Sequence, residues 1–196
     1  MIFEQIKEDA LANHIPIVKD DTLNYMIKVI NSNGYKNILE LGCAVGYSSI
    51  AIALSNADIH IDTLEKNDNL SKIAVDNIKS MGLDKQINVI NGIIETFVPN
   101  HKYDFIFVDA AKSQYEQYFI KFIDYLENDG KMLFDNMVFH GMIHNIGGIK
   151  NRNTRSLVKK IQNFRKKMLK IVGFDIILND TIGDGYMLVS RRQNGL

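Results

Sequence analysis

The sequence predicts a doubly wound α/β fold: a mostly parallel seven-stranded sheet with helices on both faces and an antiparallel hairpin at its C-terminal end. Three observations predict it. Apolar runs of strand length recur along the chain, and amphipathic stretches of helix length separate them. A glycine-containing turn, Glu40-Leu41-Gly42-Cys43-Ala44-Val45-Gly46-Tyr47-Ser48, ends the first apolar run.

Two helices, near 2–12 and 20–32, precede the first strand. The five strand-length runs are Asn37–Leu41, Ile59–Leu64, Ile87–Ile90, Tyr103–Val108 and Lys131–Phe134, and alternation with helices makes them parallel neighbours. Helical patterns fall near 47–56, 68–81, 113–127 and 153–172, with Asp68 and Ser113 as expected N-caps and Gly82 and Gly130 as expected stops. The tail pairs Phe174–Leu178 with Tyr186–Ser190 around Gly183-Asp184-Gly185, which reads as the closing hairpin.

With 196 residues, 46% hydrophobic and 23% charged, the composition is that of one globular domain. Residues 1–33 are read as N-terminal helices and 34–196 as the core. The two prolines are Pro16 and Pro99, and no repeat or linker interrupts the chain. No apolar run approaches the roughly 20 residues that span a bilayer, and the acidic start Met1–Asp9 is unlike a signal peptide, so a cytoplasmic location is expected. The single cysteine, Cys43, reads as a small residue tolerated in a tight turn rather than a nucleophile. Net charge is zero, yet residues 1–149 hold 12 Lys/Arg against 20 Asp/Glu, while 150–196 hold 11 against 3. That asymmetry points to a negatively charged partner.

In an open α/β sheet, ligands bind at the C-terminal strand ends, and the turn after the first strand is the usual cradle. Gly42 and Gly46 remove side chains where the backbone turns and approaches a ligand. Their Gly-x-x-x-Gly spacing is not that of dinucleotide binders. Alone it marks only a turn. Glu65, 19 residues after Gly46 at the end of the second strand, is placed to accept hydrogen bonds from both hydroxyls of a ribose; alone it is a solvated carboxylate. Together they suggest an adenosine-containing cofactor. Glu40 ends a buried strand, where a carboxylate needs a cation or donors, and the ammonium of a bound methionine moiety would serve.

Asp109 at the end of the fourth strand, with Asp135 and Asn136 at the end of the fifth, make an all-oxygen set suited to a hard cation such as Mg²⁺. Asp135-Asn136 by itself is more often a turn. A divalent ion would lower the pKa of an acceptor hydroxyl and orient it. Lys112 is then a candidate general base, the other reading being a surface lysine at a helix start.

These residues together resemble the metal-dependent class I O-methyltransferases, the caffeoyl-CoA and catechol O-methyltransferase family, over nearly the whole chain. Glu40-Leu41-Gly42, Gly46-Tyr47-Ser48, Glu65, Asp109-x-x-Lys112, Asp135-Asn136 and Gly183-Asp184-Gly185 occur in that family's order. The resemblance implies S-adenosylmethionine (SAM) as cofactor, contacted by Glu40, Gly42, Ser48 and Glu65, with Gly46 and Asp109 in the same pocket. It implies Mg²⁺ on Asp109, Asp135 and Asn136, and Lys112 as the base. Val18 falls at an apolar cofactor contact, and Ile93-Ile94 where adenine is held; many relatives are polar at the position of Ile93, which puts those contacts on backbone or packing. A homodimer is implied by family analogy alone.

Within the family, Val108–Tyr115 and Asp135–Gly141 look most like the bacterial tRNA 5-hydroxyuridine methyltransferases, which methylate a modified wobble uridine in the anticodon. The acceptor implied is tRNA, and a small catechol is the alternative. Lys150, Arg152, Arg155, Lys159, Lys160, Arg165, Lys166, Lys167 and Lys170 form a stretch without an acid, suited to RNA phosphates. It is read equally as a solvated helix face above an inward stripe of Leu157, Ile161, Phe164, Met168 and Leu169. Tyr115, Tyr118, Phe139 and His140 are candidates to stack an extruded base, or ordinary core aromatics.

Overall fold

The computed structural model describes residues 2–192. Helices Ile2–Ala12 (α1) and Asp20–Asn33 (α2) lead into strand Asn37–Leu41 (β1), followed by Tyr47–Ser55 (α3), His60–Glu65 (β2), Asp68–Ser80 (α4) and Ile87–Asn91 (β3). The chain then crosses to Tyr103–Val108 (β4), Tyr115–Phe122 (α5), Leu126–Phe134 (β5), Arg152–Met168 (α6) and the hairpin Phe174–Asn179 (β6) and Tyr186–Arg191 (β7). All seven strands join one sheet in the order β3-β2-β1-β4-β5-β7-β6. β1 through β5 pair in parallel, whereas β7 runs antiparallel to both β5 and β6.

Strand order reverses between β1 and β4. After β1 the chain winds outward through β2 and β3, then returns to the other side of β1 for β4 and β5. Connections leaving β1 and β4 therefore diverge at their C-terminal ends, which leaves a crevice between them.

The central strands are buried on both faces, which is why they read as continuous apolar runs rather than alternating ones. Their two-residue period still sorts the core. Ile38, Phe105, Phe107 and Leu133 face a layer built by α1 to α4, including Ile30, Ile50 and Ile78. Leu39, Ile106, Val108, Met132 and Phe134 face Phe122 of α5 and Val158, Ile161 and Phe164 of α6. Phe134 and Phe164 meet edge to face with centroids 5.0 Å apart. No helix among the described residues is long and apolar enough to cross a membrane.

Four local expectations need correction. The N-cap of α4 is Asn67, not Asp68: its side chain accepts from the N–H groups of Asn69 (3.0 Å) and Leu70 (3.1 Å), and Asp68 becomes the first helical residue. Ser113 lies within a 3₁₀ turn, Lys112–Gln114, and α5 begins beyond it without a side-chain cap. Gly130 stops no helix. The chain has left α5 through a second 3₁₀ turn, Ile123–Tyr125, and Gly130 sits inside β5, where a Cβ would come within 2.8 Å of the Asp104 carbonyl oxygen beside the register shift in the β4–β5 pairing. On α6 the buried stripe is Val158, Ile161, Phe164 and Met168, Leu157 packs against it partly buried, and Leu169 is exposed.

Two unsatisfied helix N–H groups make Asn67 worth about 1 kcal/mol. Asn67→Ala is expected to lower unfolding free energy by that amount in urea denaturation, and Asp68→Ala by less.

Candidate active site

Backbone bonds continue past the strand ends and bring three turns together. The N–H groups of Gly42 (3.1 Å) and Cys43 (2.9 Å) both donate to the Leu64 carbonyl, tying the turn after β1 to the end of β2. The N–H of Asp109 donates to Leu41 (3.0 Å) and that of Asp135 to Val108 (3.2 Å), so the ends of β1, β4 and β5 stand in a row. Gly42 has φ +106°, and a Cβ there would lie 2.3 Å from the Asp109 carbonyl oxygen. The residue must be glycine for both reasons.

A cavity of about 480 Å³ opens over this row. Gly42, Glu65, Ile94, Asp109, Lys112 and Asn136 line it, as do Tyr118, Phe139 and His140. Val18, Glu40, Gly46, Ser48, Ile93 and Asp135 do not. Val18 is core, though its neighbours Ile17 and Lys19 are on the wall, and Ile93 points outward, 53% exposed.

Glu65 is fixed by the backbone. One carboxylate oxygen accepts from the Ala44 N–H (2.9 Å) and the other from the Asn67 N–H (2.8 Å), leaving further lone pairs for hydroxyl donors. Gly42, Ala44, Leu64, Leu70 and Ile94 line the cavity together with Glu65, and such a set fits a nucleoside: apolar walls for a base, a held carboxylate for its ribose.

Glu40 lies under the turn and is 1% exposed. Its partners are hydroxyls. Ser48 and Ser49 donate to its two carboxylate oxygens, and Thr63 donates to the same oxygen as Ser49. Burial pushes its carboxyl up to about 7, the three hydrogen bonds oppose the rise and the charge of Asp109 adds to it. Cys43 is also buried, and burial followed by the Glu40 charge moves its thiol upward, away from nucleophilic use.

The oxygen set differs in kind. Asp135 is 2% exposed, and its Oδ1 has no hydrogen-bond partner among the described residues. Burial, then the Asp109 charge, raises its carboxyl. Asn136 beside it has φ +56°, and Lys112 Nζ donates to Asp109 Oδ1 at 2.9 Å. A buried acceptor without a donor costs about 1–3 kcal/mol, which a cation would relieve. Two carboxylates and an amide oxygen therefore fit a hard divalent ion, although no cluster of three or more His, Cys, Asp or Glu arranged for a metal occurs among the described residues.

A family profile described as O-methyltransferase matches residues 3–192. The chain belongs to the O-methyltransferase family. A caffeoyl-CoA O-methyltransferase of Petunia hybrida is 30% identical over 181 residues, which cover 86% of this chain and 72% of that protein. A Staphylococcus aureus crystal structure, provisionally described as a caffeoyl-CoA O-methyltransferase, superposes with a TM-score of 0.92 at 34% identity, covering 97% of this chain and 92% of that one. A Podospora anserina methyltransferase with S-adenosylhomocysteine (SAH) bound shares the fold at 23% identity, with a TM-score of 0.84 over 98% of this chain and 86% of that one. The protein is an O-methyltransferase.

Elsewhere the methyltransferase spends several of the candidate residues on its own fold. Arg155 Nε donates to the Ile149 carbonyl (2.8 Å), Arg165 to the Met137 carbonyl (2.8 Å) and Asp180 (2.9 Å), and Lys167 to Glu116 (2.7 Å). Lys150, Arg152, Lys159, Lys160 and Lys166 are exposed and form no salt bridge among the described residues. Tyr115 is core, its hydroxyl donating to the Asp135 carbonyl at 3.0 Å. Two residues on the methyltransferase's cavity wall have no signal in the sequence. Glu95 accepts from the Tyr118 hydroxyl (3.1 Å), and Lys19 Nζ donates to the Gly183 carbonyl (3.2 Å); each flanks a residue marked only as apolar.

The Glu40 carboxyl sits above its ordinary 4.5, so the folded state holds a proton that the unfolded state has released between about pH 4.5 and 7. Stability is highest at and below the lower limit and falls as pH rises through the upper one, by roughly 3 kcal/mol. Glu40→Gln, which keeps the shape, is expected to flatten that part of the profile in urea titrations across this window.

Proposed function

We propose that the methyltransferase acts on an acceptor with two adjacent oxygens, of the catechol or caffeoyl-CoA type, and that Asp109, Asp135 and Asn136 hold a divalent cation such as Mg²⁺ beside it. The observation that carries this reading is the buried Oδ1 of Asp135, without a hydrogen-bond partner among the described residues, in the row of strand ends that also carries Asp109, Asn136 and the Gly42 turn. When bound, SAM supplies an electrophilic methyl group, and the cation lowers the pKa of the acceptor hydroxyl. Gly42, Glu65 and Ile94 position the nucleoside end. Lys112, 2.9 Å from Asp109 on the cavity wall, would take the hydroxyl proton as a neutral amine, the form that a dication on Asp109 favours. Phe139 and His140 share the cavity wall with Asn136. The names of the relatives support this acceptor class.

A second reading, the wobble 5-hydroxyuridine of tRNA, also offers adjacent oxygens. It is favoured by the exposed cations of α6, a helix that packs against the 3₁₀ turn containing Lys112 and against the segment Met142–His144. Exposed cations of this kind suit phosphates.

One assay separates the two. Purified enzyme with SAM is offered caffeoyl-CoA, a simple catechol and hypomodified tRNA, each with EDTA and again after Mg²⁺ is restored. Turnover of the diols far above tRNA is expected, lost in EDTA and recovered with Mg²⁺. Formation of 5-methoxyuridine with the diols inert would establish the tRNA reading, and activity indifferent to EDTA would refute the cation assignment.

Variants test the roles. Lys112→Ala or Asp109→Ala should lower kcat by about 10²-fold or more, whereas Glu65→Ala should act mainly on the KM for SAM. Should tRNA be the acceptor, joint replacement of Lys159, Lys160 and Lys166 should flatten the salt dependence of tRNA binding without changing SAM affinity.

A further inference from the structure

Asp184 is a buried carboxylate, 5% exposed, with no part in the chemistry above. It sits at the tip of the β6–β7 hairpin, in a turn whose glycines are compressed from both sides. A Cβ on Gly183 would lie 2.0 Å from Thr22 Oγ1 of α2, and one on Gly185 would lie 2.4 Å from Val138 Cγ2. The turn is pinned to the segment after β5: Met137 N–H donates to the Gly185 carbonyl and Val138 N–H to that of Asp184, both at 2.8 Å.

This clamp delivers the Asp184 side chain beneath the 136–140 segment. Oδ1 accepts from the His140 N–H at 2.7 Å, and Oδ2 faces Asn136 Nδ2 at 3.4 Å and His140 Nδ1 at 3.8 Å. The Asn136 contact is longer than a strong hydrogen bond, yet it decides which end of the amide faces Asp184. An ionised carboxylate only accepts. The amide must therefore turn its NH₂ toward Asp184, which leaves its oxygen for the other side. The same segment holds three non-glycine residues in the left-handed region, Asn136 (φ 56°), Phe139 (φ 48°) and His140 (φ 54°). Such conformations cost energy and persist where surrounding contacts impose them.

We infer that Asp184 is a positioning residue that aims the Asn136 amide oxygen at the cation site and holds the 136–140 segment in the conformation that does so. The inference rests on the cation reading of Asp109, Asp135 and Asn136. Asp184 acts through Asn136, and its removal is expected to weaken cation binding while the nucleoside end of the cavity is untouched.

The test titrates Mn²⁺ into the SAH-bound protein and follows free Mn²⁺ by EPR, for wild type, Asp184→Asn, Asn136→Ala and the double variant, with SAH affinity and thermal midpoint measured alongside. Asp184→Asn keeps the shape but sets donor against donor. It is expected to weaken Mn²⁺ binding on the order of tenfold with SAH affinity within about twofold, and to add nothing to Asn136→Ala in the double variant. Undiminished Mn²⁺ binding by Asp184→Asn, or losses that multiply in the double variant, would overturn the inference alone. A wild-type protein that binds no Mn²⁺ would overturn the cation reading and the inference with it. Should Asp184→Asn not fold, hydrogen exchange of the Asn136 side-chain NH₂ in the wild-type SAH complex decides: protection supports the bond to Asp184, and exchange at the solvent rate contradicts it.

Discussion

The contact between Gly42 and the Asp109 carbonyl is the constraint on which the site depends. β1 and β4 are neighbours at the point where strand order reverses, and the turn leaving β1 passes so close to the end of β4 that a Cβ would stand 2.3 Å from the Asp109 oxygen. Any side chain at position 42 would push these strand ends apart. The turn is joined through Leu64 to β2 and hence to Glu65, while Asp109 is joined through β4 to Asp135 and Asn136. The approach of two backbones therefore sets the distance between the nucleoside half of the cavity and the oxygen half. For a group transfer, that distance is what catalysis by positioning depends on.

Two buried carboxylates near this contact show how the same residue type serves opposite ends. Glu40 and Asp135 are almost equally buried, and burial raises both carboxyls. Glu40 is surrounded by three hydroxyl donors and is complete without a ligand. Asp135 has one oxygen facing no donor among the described residues. A satisfied buried carboxylate braces a turn. An unsatisfied one, beside a second carboxylate and an amide, is arranged for something that is not part of the chain.

The sheet was legible because its signal is local: β1 and β4 are buried on both faces and stand out as unbroken apolar runs, and the glycine turn follows directly. Caps were less legible, because Asn67 and Asp68 are adjacent and both suited to the task, and only the path of the chain out of β2 chooses between them. The basic stretch was plain as a count of charges. That Arg155, Arg165 and Lys167 are tied to Ile149, Met137, Asp180 and Glu116 depends on helix packing, which no local pattern records. Glu95 and Lys19 reach the cavity from segments marked only by their apolar neighbours. Asp184 stood in a recognisable motif, but its partner Asn136 is 48 residues away in sequence, and only the clamped hairpin joins them.

The most direct test of the account is a crystal structure of the protein soaked with SAH and Mn²⁺, with the metal located by anomalous scattering. The SAH ribose is expected on Glu65, with one anomalous peak within coordination distance of Asp109, Asp135 and the Asn136 amide oxygen. A peak elsewhere, or SAH bound with those three groups unoccupied by metal, would contradict it.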